Sequence, residues 1–225
     1  MKKINLVELV SDALGSEMPD DMISQFHPEI IKSALNMAYN QAVYLSWMNG
    51  KKFSDYSQLD AWTRTYELQL FNLTVTGATF SGNIRLPYPP MQLPNNMGIR
   101  QVAPSSNEAL AFAYMENTAF AIFSQLDVFS IDTTPYFRLE QNDTGAGIES
   151  HVLKCGKIPI VYNLAPDPTM VSVKLIVPMD QIDDYDDVAI PAGQEDLLVK
   201  QTVEFLRTKQ PEDTANDQIA NRPNQ

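Results

Sequence analysis

The chain has 225 residues, 44% of them hydrophobic, a formal charge of -12 at pH 7 and a single cysteine. That length allows one sizeable core or two small ones. The charge opposes condensation onto phosphate, because nucleic-acid affinity comes largely from Lys and Arg displacing counterions. One cysteine excludes an internal disulfide and a thiolate zinc site, and no run approaches the roughly 20 apolar residues of a membrane span.

The first residues, MKKINLVELVSDALGSEM, imitate a secretory leader, but Glu8 and Asp12 fall inside the would-be hydrophobic region. An amphipathic helix is expected instead, with Ile4, Val7, Val10 and Leu14 on one face and an end near Gly15. Met18 to Gln25 reads as a polar connection or a further helical turn. The longest single-period stretch follows, from His27 to Gly50. There Ile30, Ile31, Ala34, Leu35, Ala38, Ala42, Val43 and Leu45 recur at three- and four-residue spacing, which predicts one apolar helical stripe. Pro28 suits the first turn, and Gly50 suits the left-handed residue that ends a helix. At roughly 25 cal/mol per Å² of apolar area, hiding such a stripe is worth several kcal/mol. Met37, Tyr44, Trp47 and Met48 on the same helix are expected in its packed interface rather than in a ligand groove.

Beyond Lys51 the pattern becomes β-like. Trp62, Arg64, Tyr66, Leu68 and Leu70 alternate with other residues, and Leu73, Val75 and Thr76 lead into Gly77, predicting paired strands with turns at Asn72 and Gly77. Between Ile84 and Val102 stand Pro87, Pro89, Pro90 and Pro94, which remove backbone donors and forbid an interior strand. This segment is either an arm reaching another subunit or a long loop laid over its own domain; in a polyproline-like form it could reach about 50 Å at ~3.1 Å per residue. Leu110 to Ile122 reads as a hairpin turning at Glu116 and Asn117, though its many alanines also allow a helix; Val128 to Leu139 reads as a strand, and NDTGAG from Asn142 to Gly147 as a turn or mobile loop. Its two glycines lack the Lys and hydroxyl of a phosphate loop. Ile158 to Leu164 and Met170 to Val177 are β-branched runs expected as buried strands. The middle is therefore a sheet-rich sandwich or open barrel.

Asp180 to Asp187 is an acidic run, and the last helix is expected from Gln194 to Lys209, with Glu195 and Asp196 at its start and Arg207 and Lys209 at its end, as the helix dipole favours. Leu198, Val199, Val203, Phe205 and Leu206 form its apolar side. The polar residues after Pro211 are expected to order only on a partner. The fold class is α+β, divided as a helical segment 1–55, a β-rich core 56–180 containing the arm 84–104, and an acidic linker, helix and tail 181–225.

No residue set announces chemistry. His151 and Cys155 would share a helical face, but the surrounding residues read as strand, so an ordinary buried thiol is expected. His27 reads as a surface or capping residue. Asp183, Asp184, Asp186 and Asp187 could offer oxygens to calcium, yet they lack the glycine and closing glutamate of a calcium loop, and a solvated acidic turn is the expectation. Neither a metal nor any other cofactor is expected, and no catalytic residue is assigned.

The proline segment ending PNNMGIRQV and the close IPAGQEDLLVKQTVEFLRTKQPEDTANDQ, after a helical start and a β-rich middle, resemble the virion ring or adaptor proteins of the crAss-like tailed bacteriophages. The resemblance covers most of the chain from about Tyr66 and implies a structural subunit without substrate. It implies a homo-oligomeric, typically dodecameric ring in the head-to-tail connector, partnered by the portal and other neck or tail ring proteins. DNA would pass through the channel without specific binding, and the protein would reside in the virion after assembly in the host cytoplasm. Tyr88, Pro89, Pro90, Met91 and Leu93 of the arm, with Leu198, Phe205 and Leu206 of the last helix, are the candidate inter-subunit contacts. The alternative is a monomeric carbohydrate- or protein-binding β-sandwich, for which Trp62 and Tyr88 are the candidate aromatic platforms.

Overall fold

The computed structural model describes residues 1–17, 26–116, 134–143, 149–160 and 170–208. The chain forms helices and two mainly antiparallel sheets, an α+β protein, divided into two compact units. One unit combines Met1–Gln58 with the residues from Ile182 onward; the other is Leu59–Gln181. The two end segments, read separately from sequence, thus share one unit.

The helical unit contains α1 (Lys3–Glu17), α2 (Pro28–Phe53) and the last helix, Glu195–Thr208, all packed on one another. Alone, a helix of α1's length is marginal in water. Its buried apolar residues are Leu6, Val7, Val10 and Leu14, so Leu6 takes the place expected for Ile4. Helix α2 begins as the sequence predicts, with Pro28 in its first turn and the His27 Nδ1 accepting the Glu29 N–H at 3.3 Å. Its end differs. Gly50 is helical, and Ser54 is the left-handed residue that stops the helix. The glycine serves packing: a Cβ there would strike the Tyr56 ring and lie 3.1 Å from the Asp55 carbonyl.

The face of α2 is also corrected. Ile31, Ala34, Leu35, Ala38, Tyr39, Ala42, Val43 and Trp47 are buried, whereas Ile30, Met37, Tyr44, Leu45 and Met48 remain exposed. The last helix buries Leu198, Val203 and Leu206, with Thr202 fully covered because its hydroxyl donates to the Leu198 carbonyl at 2.7 Å.

A short helix α3 (Ser57–Asp60) leads into the sheet unit. There β1 (Arg64–Gln69), β4 (Ile99–Pro104) and β8 (Met170–Leu175) make a three-stranded sheet in the order β1-β8-β4. The central β8 buries Val171, Val173 and Leu175, and Val173 stands between Tyr66 and Val102. A five-stranded sheet has the order β2-β3-β7-β6-β5, from β2 (Phe71–Thr76), β3 (Thr79–Arg85), β5 (Ala113–Tyr114), β6 (Tyr136–Asp143) and β7 (Glu149–Pro159). The helix Glu195–Thr208 is α4 in this order.

Three strand expectations change. β1 and β2 do not pair: the chain leaves one sheet and enters the other at Leu70, and Asn72 (φ 52) is a bulge inside β2 rather than a turn. Gly77 (φ 61) does make the β2–β3 turn. β5 is only two residues long and pairs in parallel with β6; the second half of the expected hairpin, around Phe120 and Ile122, lies outside the described residues. Asn142 and Asp143, expected to begin a turn or loop, extend β6 against Ser150 and Glu149; the rest of that stretch lies outside the described residues. The expectations for Met18–Gln25, for the strand residues of the 161–169 stretch and for the tail beyond Thr208 also lie outside the described residues.

Candidate assembly surfaces

In the single chain the proline segment lies over its own sheet unit. Proline supplies no N–H, so the remaining donors decide where such a chain can lie. The Leu86 N–H donates to the His151 carbonyl at 3.0 Å, Met91 to the Ile176 carbonyl at 2.8 Å, and Ile176 returns a bond to the Gly98 carbonyl at 2.8 Å. Met91 and Leu93 are buried in this arrangement, while Tyr88, Pro89 and Pro90 are half-buried. Asn95 and Asn96, both left-handed, turn the chain into β4, an edge strand as the prolines require. The Asn96 amide donates to the Tyr114 hydroxyl, whose ring lies 5.5 Å from that of Phe137. Between this segment and β6 and β7 lies a groove of about 470 Å³, lined by Met91, Leu93, Leu139 and His151 among others.

The other contact candidates divide similarly. Leu198 and Leu206 are fully buried among the helices, so their apolar area is spent within the chain, and Phe205 is half-buried. Trp62 is buried and offers no exposed platform; Tyr88 lies 6.1 Å from the Tyr66 ring.

The acidic run is a clamp. The Lys3 and Ile4 N–H groups, orphan donors at the start of α1, donate to the Asp186 and Asp184 carbonyls at 3.1 and 2.8 Å. The Asp184 carboxylate receives Lys32 of α2 at 2.7 Å and stands 3.5 Å from Lys3, whose ammonium also donates to the Ile182 carbonyl at 2.7 Å. The Lys32 hydrogen bond holds the Asp184 carboxyl below the usual range, and the same bond raises Lys32. Among the described residues, no group of three or more His, Cys, Asp or Glu side chains is placed to hold a metal ion.

His151 and Cys155 lie in β7, as the strand reading requires. Burial pushes the Cys155 thiol far up, which removes its thiolate and its reactivity. Beside it, Gly156 leaves room that the Tyr136 ring occupies, and burial raises the Tyr136 phenol. Glu108 is held below the usual carboxylate range by its 2.9 Å bond to Lys174.

The surface that sequence reading missed is the outer edge of the five-stranded sheet. Among the described residues, β2 has β3 on one side and no strand on the other. From Phe71 to Asn83 there is neither a charge nor a proline, and Leu73 and Val75 are 46% and 67% exposed. That absence of charge was visible in the sequence; the position of the strand was not. Among the described residues no helix is long and apolar enough to cross a membrane. The sequence matches no protein-family model and no curated protein, and the fold matches no solved structure.

Proposed function

We propose that this chain is a structural subunit that assembles with its own copies into a ring of the head-to-tail connector of a tailed bacteriophage, in the virion neck or tail. The ring encloses the DNA exit channel, stacks on the portal and other ring proteins, and is typically twelvefold. The observation that carries the reading is the β2 edge, which is uncharged and, among the described residues, has no strand beside it. Edge strands present unpaired N–H and C=O groups, and natural proteins block them with charges, prolines or covering segments. Here neither charge nor proline guards β2 or the turn beyond it, and two apolar side chains stand exposed on the strand.

A neighbouring copy adding its backbone to that edge would supply main-chain hydrogen bonds and cover Leu73 and Val75. A contact between two different surfaces closes into a ring when the rotation permits. The charge of -12 disfavours a grip on passing DNA. The test is Val75→Lys in the full chain. A lysine on an exposed edge position leaves the fold intact by circular dichroism and abolishes assembly; retention of full assembly by this variant refutes the β2 contact.

A further inference from the structure

Helix α2 presents a second apolar line to solvent. Ile30, Met37, Tyr44, Leu45 and Met48 are each between 44% and 48% exposed. Ile30, Met37 and Tyr44 are seven residues apart and Met48 four beyond, so at ~100° per residue these four fall within a strip about 40° wide and about 27 Å long. No charged residue occurs between Lys32 and Lys51. Copies that each carry a charge of -12 repel, so a lasting contact between them requires an uncharged surface.

We infer that this line is a twofold contact on which α2 of one copy packs antiparallel against α2 of a second copy. The choice of occupant rests on charge and register. Glu29 stands at one end of the strip and Lys51 and Lys52 at the other. Parallel pairing would set Glu29 beside Glu29 and the lysines beside lysines. Antiparallel pairing in the register that sets Met37 opposite Tyr44 brings Glu29 within one residue of Lys51 of the second copy and Gln41 within one residue of its own copy, with Ile30 seated between Met48 and Lys52. Glu29 and Lys51 lie on the same flank of the strip, about 100° and 60° from its line, and same-flank positions face each other in an antiparallel pair. The Glu29 carboxylate is 69% exposed, and the Lys32 it touches at 3.0 Å is bound more closely by Asp184 at 2.7 Å.

The five side chains offer roughly 400 Å² per copy, so both copies together bury about 800 Å², below the roughly 1,200 Å² of stable specific interfaces. A single pair is therefore weak and concentration-dependent. Repeated around a ring it becomes strong by multivalency. The pairing goes beyond the ring reading and does not require it: a twofold contact yields a dimer of free subunits, or two rings joined face to face.

The test uses the full chain in sedimentation velocity at rising concentration. Met37→Glu combined with Tyr44→Glu halves the limiting mass, from dimer to monomer or from paired to single rings, whereas loss of the β2 contact breaks rings and leaves the α2 pair. Gln41→Cys forms a disulfide dimer under mild oxidation, and Lys52→Cys does not. Glu29→Lys weakens the pairing, and adding Lys51→Glu restores it. An unchanged limiting mass in the double glutamate variant overturns the inference, as does crosslinking at Lys52→Cys in place of Gln41→Cys.

Discussion

Replacing Gly98 by alanine tests whether the proline segment lies on its own sheet. Gly98 has no positive φ, so its backbone accepts alanine, and reduced freedom in the unfolded chain would favour the variant by about 0.4–1 kcal/mol. Against this, the new Cβ would overlap the Met91 carbonyl oxygen and stand 3.1 Å from the Met91 C and N atoms. Backbone cannot swing aside as a side-chain tip can. Met91 must retreat, breaking its 2.8 Å hydrogen bond to the Ile176 carbonyl and uncovering part of the buried Met91 and Leu93 side chains. An unsatisfied buried donor costs about 1–3 kcal/mol, and each such side chain is worth about 1.5–3 kcal/mol when fully buried. The steric loss wins, for a net destabilisation of about 2–4 kcal/mol. At roughly 2–4 °C per kcal/mol, calorimetry of the full chain should show the sheet unit melting about 4–16 °C lower, with faster proteolysis between Leu86 and Met97. Gly77→Ala, with no atom within 4 Å but φ 61, should cost only about 1 kcal/mol of backbone strain. Melting of Gly98→Ala at or above the parent temperature would refute the placement of the segment.

Because the folded Asp184 pKa lies below its unfolded value near ~3.9, its contribution is complete above that pH and fades as the pH falls through the folded value. Asp184→Asn should therefore melt the helical unit lower at pH 7 and flatten its loss of stability below pH ~4; identical acid profiles would contradict the clamp. Cys155 should resist a thiol reagent in the native protein and react once urea unfolds it, since burial keeps it protonated and covered; stoichiometric labelling of the folded protein within minutes would contradict its placement. Leu206→Ala, in the fully buried core of the helices, should cost about 2–5 kcal/mol of stability in denaturant titration, and a cost below about 1 kcal/mol would mean that α4 is not packed there.

The helices were legible because their signals are local. Pro28 with His27 marks the start of α2, and Glu195, Asp196 and Arg207 bracket α4. The choice of face on α2 was not legible, since apolar residues surround most of the helix and periodicity alone does not say which are covered. Strand existence followed from alternation in Arg64–Leu70 and from the β-branched run of β8, but pairing is a long-range property. Nothing local at Leu70 announces that the chain changes sheets, and nothing in Ala113–Tyr114 announces a parallel partner in β6. The proline segment's extended backbone was dictated by its residues, whereas its resting place depends on Gly98 admitting the Met91 backbone. The acidic run showed its charge in sequence and hid its function as the cap of α1 and the anchor of Lys32.

The central claim is that the chain's task is geometric, carried out by joining copies of itself. Sedimentation velocity of the purified full-length protein, with electron-microscopic class averages of the heaviest species, tests it most directly. The account predicts closed rings with a central opening at high concentration; a single compact copy at every concentration would contradict it.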